Sequence, residues 1–217
     1  MTVRQAVSER RSIRQYDTSQ PVEEADLLAV LEAARLAASG CNSQPWRFIV
    51  IRDPETRERL AAEAMTLKQN QTICRQASVM IACLAVADAH CDIPDRIVEL
   101  SQADPTAAEP TIAKRTGRLM RSRFDAMPPS QRAAYMALNT TIAITQMMLQ
   151  ATELGYGTCW LKAYDDAAAR EILGIPEGLS IVAFTPLGRP AETPRQRPRL
   201  ALSEIAFLDR YGEPLVP

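Results

Sequence analysis

The sequence is short of several things that common functions require. It holds one histidine, His90, in 217 residues, which argues against His-rich zinc chemistry and against a Ser-His-Asp triad. Its five cysteines, at 41, 74, 83, 91 and 159, are odd in number and include no CxxC pair. They read as reduced thiols of a cytoplasmic chain. No GxGxxG follows a strand pattern and no GxxxxGK[ST] occurs, so neither a Rossmann dinucleotide loop nor a P-loop is present. The net charge is −1, which argues against a nucleic-acid module working by bulk positive charge. The first residues, MTVRQAVSERRSIRQY, lack the apolar core of a signal peptide. The most apolar long stretch, 136–151, is interrupted by Asn139, Thr140, Thr141, Thr145, Gln146 and Gln150 and is no credible membrane span.

What is present is the composition of an ordinary globular protein, with 47% apolar and 24% charged residues. The length suits a single domain, 1–217, able to bury a core without disulfides or metals. Residues 2–9 read as a short helix. Pro21 opens a second one, with Glu23, Glu24 and Asp26 in its first turn and an end near Ser39-Gly40. Trp46 to Ile51 is a buried strand, and Asp53-Pro54 caps the helix after it. Val79 to Ala87 is a second strand. Residues 88–130 carry five prolines and predict a lid-like excursion with broken helices. Gln131 to Leu154 is a long, central helix, with Tyr135, Leu138, Ile142, Thr145, Met148, Leu149 and Thr152 marking much of its face and Ala137, Ile144 and Met147 broadening it until it is apolar nearly all round. Thr158 to Leu161 predicts a short strand, Asp165 or Asp166 a cap, Gly174 a helix end, and Ser180 to Leu187 a third strong strand. The irregular alternation favours α+β over a doubly wound sheet. The Pro- and Arg-rich tail after Gly188 predicts an arm laid over a partner subunit.

Four segments carry candidate chemistry. Arg10, Arg11, Ser12 and Arg14 put three guanidinium forks and a hydroxyl within five residues, a set that matches phosphate oxygens. Arg195, Arg197 and Arg199 alternate along an extended segment and project to one side. Two local clusters in a chain of balanced charge suggest one compact anion rather than a polymer. The loop Ala38 to Trp46 offers the amides of Asn42 and Gln44 and backbone groups that could face a planar heterocycle. Lys114, Arg115, Arg118, Arg121 and Arg123 make a basic face, either solvated or an attractor for the extra phosphate of NADPH. His90-Cys91 reads as a surface turn rather than a metal site.

These segments resemble the FMN-dependent nitroreductase family. Arg10-Arg11-Ser12-Ile13-Arg14-Gln15-Tyr16 is similar to its RRSxRxF/Y entry, and Ser39 to Trp46 to its SxxNxQPW loop. Gly155 to Leu161 resembles its GLGSCW turn and strand. Leu187 to Glu192, followed by Arg197-Pro198-Arg199, resembles its LGxPAE segment and the arginines beyond it. The resemblance implies a three-layer α+β sandwich, with a central mixed sheet flanked by helices. It implies a homodimer exchanging C-terminal arms, with FMN at the interface and NAD(P)H as transient hydride donor. Arg10, Arg11, Ser12 and Arg14 would then hold the phosphate and ribityl chain, with Arg197 and Arg199 closing on the same phosphate. Asn70, placed by its spacing to Ser78, would bond the ring edge. Ala38, Ser39 and Gly40 would pack on the ring from the other subunit. Leu161, Lys162 and Ala163 would bring backbone amides to N5 and O4. Gly40, Cys41 and Phe124 would face the substrate, and no side chain need act as nucleophile. Two positions depart from the pattern: Ala38 stands where the family often has Pro, and Lys162 where it often has Gly or Glu. Nitroaromatics, quinones or related acceptors follow as substrates. The same fold also leaves open a dehalogenase, an azoline or enoyl oxidase, a flavin-fragmenting enzyme, or a non-enzymatic flavin-binding module.

Overall fold

A computed structural model describes residues 1–103 and 110–215. In chain order the elements are α1 (Val3–Glu9), α2 (Glu24–Arg35), β1 (Trp46–Ile51), α3 (Pro54–Arg59), α4 (Lys68–Gln76), β2 (Val79–Val86), α5 (Ile93–Ala103), α6 (Pro110–Asp125), α7 (Pro129–Glu153), β3 (Gly157–Thr158), α8 (Asp166–Leu173), β4 (Leu179–Gly188) and α9 (Leu202–Ile205). A single π-helical turn, Leu60–Ala64, continues α3.

The four strands lie in the order β1-β2-β4-β3, every neighbouring pair antiparallel. The mixed character expected of the sheet is confined to one parallel bridge, Ser12 with Thr158. Strand β2 is buried on both faces, which is why its sequence is a continuous apolar run rather than an alternating one. Successive side chains still point to opposite faces. Val79, Ile81, Cys83 and Ala85 join the core under α2 and α7. Met80, Ala82 and Leu84 join a second core with residues of α4, α8 and the π turn. Helix, sheet and helix therefore form three layers. A bulge between Cys83 and Leu84 shifts the pairing with β4 and lets the consecutive Val182 and Ala183 serve the same core.

Local chemistry fixes several boundaries. Asp53 accepts from the Thr56 N–H with Pro54 in the first turn, and Asp165 caps α8 by accepting from the Ala168 N–H. Gly174 ends α8 with φ 61°, a left-handed cap open to glycine at little cost.

Other boundaries differ from expectation. Helix α2 starts at Glu24, not Pro21, and stops at Arg35. The Leu36 N–H still reaches the Glu32 carbonyl at 3.0 Å, but the Ala37 N–H closes a tighter turn on the Ala34 carbonyl at 3.2 Å, and Ser39 is extended at φ −143°. Strand β3 is two residues long, and Leu161 rejoins the sheet only by its bridge to Phe184. On α7 the buried stripe is Met136, Asn139, Thr140, Ala143, Ile144, Met147, Met148 and Ala151. Leu138 and Ile142, expected on the inner face, are 64% and 46% exposed. In the 88–130 excursion, α5 and α6 bracket residues 104–109, which lie outside the described residues. His90 is not a surface turn: it is 1% exposed, with Nε2 3.2 Å from Asp125. Among the described residues no helix is long and apolar enough to cross a membrane.

Candidate functional site

The two arginine clusters, separated by almost the whole sequence, line one cleft of about 880 Å³. Arg10, Arg11, Ser12 and Arg14 form one wall, and Arg195, Arg197 and Arg199 of the extended tail form another, with Gln69 and Thr72 of α4 also in the lining. The first wall is rigid because it is stitched to the sheet edge. Ser12 bridges Thr158, and the Ile13 N–H donates to the Thr158 carbonyl at 2.9 Å. Gly157 permits this approach, since a Cβ there would sit 2.7 Å from the Ile13 side chain. The second wall is tied to the first at its root. The Ala191 N–H donates to the Gln15 carbonyl, and the Glu192 carboxylate accepts from the Arg14 backbone N–H.

Six guanidinium groups thus face one space, against the single carboxylate of Glu192. Among the described residues none of the six is in an ion pair. Like charges brought together repel, and the fold has left them without acidic partners. Such a cradle is stabilised by a compact polyanion, which arginine forks bind bidentately. Thr158 Oγ1, on the strand that Ser12 pairs with, is buried without a partner among the described residues. Cys159 follows it. Burial pushes its thiol up, and Arg14 and a Ser12 hydrogen bond pull part of the way back.

Asn70 lies on α4 between Gln69 and Thr72, 6% exposed, and its Nδ2 donates to the Ala163 carbonyl at 3.2 Å. The structure therefore brings together Asn70 and the 161–163 segment, which the sequence expectation had placed on the same ring. Leu161 is buried and bridges Phe184. The Lys162 ammonium is held by the Tyr164 hydroxyl at 3.0 Å and the Ile181 carbonyl at 3.1 Å.

The loop Ala38, Ser39, Gly40, Cys41 does not line the arginine cleft of its own chain. The segment 38–44 contains three non-glycine residues in the left-handed region, Cys41 (φ 54°), Asn42 (φ 52°) and Gln44 (φ 43°). Each costs roughly 1–2 kcal/mol for an L-residue, so something must hold the loop. Internal bonds contribute: Gln44 N–H to Ser39 Oγ at 3.0 Å, and Ser43 N–H to the Gly40 carbonyl at 3.1 Å. The Cys41 thiol is pushed up by partial burial. Phe124, expected at the substrate, is 5% exposed and packs between His90 and Tyr135, ring centroids 5.7 and 5.0 Å away. It is a core residue of this chain.

Sequence reasoning missed Gln69, Thr72, Glu192, Tyr135 and Asn139. Spacing within α4 could have found the first two, since 69 and 72 share a helix face. Nothing local marks Tyr135 or Asn139, whose partner Gly40 lies about a hundred residues away.

The model of the Nitroreductase family matches residues 7–189. The chain is 30% identical over 202 residues to a protein of Thermus thermophilus named NADH dehydrogenase, with 93% of each chain covered. It is 31% identical over 201 residues to YdgI of Bacillus subtilis, named as an NAD(P)H nitroreductase, with 91% of this chain and 92% of that one covered. A crystal structure described as a nitroreductase in complex with FMN, from Exiguobacterium sibiricum 255-15, superposes with a TM-score of 0.86 at 26% identity, covering 96% of this chain and 97% of that one. The chain belongs to the nitroreductase family. The family and the α+β sandwich read from the sequence are both borne out.

Proposed function

We propose that the protein is an FMN-dependent NAD(P)H oxidoreductase. It would act as a homodimer and reduce nitroaromatic, quinone or related acceptors by a two-step exchange in one pocket. Bound, FMN supplies a ring that takes a hydride at N5 from NAD(P)H and passes it to the second substrate. The observation that carries this reading is the cradle of six arginines without carboxylate partners in ion pairs, which suits the phosphate of a mononucleotide. The relatives named above supply the enzyme class and the cofactor.

The protein's own residues would bind and orient. Arg10, Arg11, Ser12, Arg14, Arg197 and Arg199 would hold the phosphate. Asn70, fixed on Ala163, would present its remaining amide valence to the ring edge. The 161–163 backbone would meet the reactive edge. Ala38, Ser39 and Gly40 would cover the ring of the partner subunit's cofactor, with Gly40 and Cys41 lining the substrate space.

Dimerisation is supported by apolar surface left exposed among the described residues. Leu138 and Ile142 on α7 are exposed, as are Val3 and Val7 on α1. So are Leu200, Leu202, Ile205 and Tyr211 along the tail. Apolar exposure of this kind suits an association surface.

The test is steady-state kinetics with NADH or NADPH against menadione and a nitrofuran. Parallel double-reciprocal lines support the exchange in one pocket. Intersecting lines, which require both substrates bound together, would refute it.

A further inference from the structure

We propose that Asn139, on the long helix α7, is the positioning residue that sets the cofactor-facing loop 38–44 in its working shape. The proposal deepens the function reading above and rests on it, because that reading places Ala38, Ser39 and Gly40 against the flavin.

The loop is strained, with Cys41, Asn42 and Gln44 all left-handed. Backbone held in such conformations persists only where the surroundings over-determine it, and it clusters at ligand clamps. Yet nearly every hydrogen bond made by residues 38–44 is local. Asn42 and Gln44 bond back to Ser39, Ser43 bonds back to Gly40, and the Arg47 guanidinium donates to the Gln44 carbonyl nearby. Among the described residues one bond ties the loop to a distant element: the Gly40 N–H donates to Asn139 Oδ1 at 2.7 Å.

Asn139 is well suited to the task. It is 6% exposed, so its amide competes little with water. Its Nδ2 donates to the Tyr135 carbonyl at 2.8 Å, which leaves Oδ1 as the atom turned to Gly40. Tyr135, one turn earlier on α7, closes the other side. A Cβ on Gly40 would lie 1.9 Å from the Tyr135 hydroxyl oxygen. Gly40 therefore sits in a slot between phenol and amide, and any larger residue there has to displace the Tyr135 hydroxyl. Tyr135 in turn packs at a tilt of 56° against Phe124 at the end of α6. The loop is thereby fixed to the helix whose exposed residues Leu138 and Ile142 form an association surface in the function reading.

The test uses the whole 217-residue chain and reads shape and binding separately. Asn139→Leu keeps the branched shape while removing both the acceptor for Gly40 and the donor to the Tyr135 carbonyl. Hydrogen exchange of the apo-protein should then speed at least tenfold in peptides covering 38–44, while peptides covering 143–151 of α7 stay protected. The FMN dissociation constant, read from quenching of flavin fluorescence, should rise at least tenfold. Asn139→Asp keeps an acceptor for the Gly40 N–H but loses the donor to the Tyr135 carbonyl, so it should recover part of both effects. Gly40→Ala approaches the same slot from the loop side and should reproduce the loss in a chain whose Asn139 is intact. Unchanged exchange in 38–44 overturns the proposal. So does faster exchange with an unchanged FMN constant, since the loop's shape would then not bear on the cofactor. A wild-type chain that binds no FMN would instead defeat the function reading, and the exchange experiment would still decide whether Asn139 holds the loop.

Discussion

Replacing Arg197 by alanine removes one guanidinium from the cleft without touching the core. Arg197 is exposed and in no ion pair among the described residues, so the fold should lose less than about 0.5 kcal/mol. Its contribution to an anion in the cradle is that of a charge-assisted hydrogen bond, about 2 kcal/mol. At about 1.4 kcal/mol per decade, that weakens FMN binding about 30-fold. The assay is a fluorescence titration of apo-protein with FMN and, in parallel, with riboflavin, which has the same ring and no phosphate. Arg197→Ala should weaken FMN and leave riboflavin unchanged. Raising the salt toward about 1 M, where screening acts within roughly 3 Å, should likewise weaken FMN more than riboflavin. Equal loss for both ligands would refute the phosphate role of the tail, and no loss for either would refute the cradle's dependence on this arginine.

Further outcomes follow from other sites. Gly157→Ala forces a Cβ to 2.7 Å from Ile13; the clash should cost about 1–3 kcal/mol and lower Tm by several degrees, and an unchanged Tm would show that the edge yields freely. Burial pushes the Cys74 and Cys83 thiols up to about 12, while the unfolded thiols ionise near 9.0. The unfolded chain therefore sheds protons first, and stability falls as pH rises from about 9 toward about 12, by about 1.4 kcal/mol per thiol per pH unit. Urea midpoints of Cys83→Ala should fall less steeply over that range, and an identical slope would contradict the assignment. Lys162→Ala should lower the midpoint potential of bound FMN, because the ammonium fixed by Tyr164 and Ile181 favours an anionic reduced ring; an unchanged potential would remove Lys162 from that role.

Much of the fold was legible because local chemistry dictated it. Strand β2 announced itself by an apolar run buried on both faces, and α3 and α8 by Asp caps and a terminal glycine. The misread elements were decided by distant partners. Strand β3 stops after Thr158 because the chain pairs there with Ser12 and returns to the sheet only at Leu161. The inner face of α7 was misplaced because its sequence is apolar nearly all round. Periodicity therefore could not choose between the Met136 stripe and the Leu138 stripe, and packing under β2 chose the former. At the site, the arginine clusters were legible as charge, and the structure joined them into one cleft. Asn139 was not legible: an asparagine inside an apolar helix declares nothing until Gly40 is seen against it.

In the proposed function the arginine cleft holds FMN for exchange of hydride with NAD(P)H. The most direct measurement is the visible spectrum of the purified protein, reconstituted with FMN where necessary, followed by anaerobic addition of NADH and then NADPH. A bound-flavin spectrum that bleaches with at least one of the two is expected. A protein that remains colourless after incubation with FMN would contradict it.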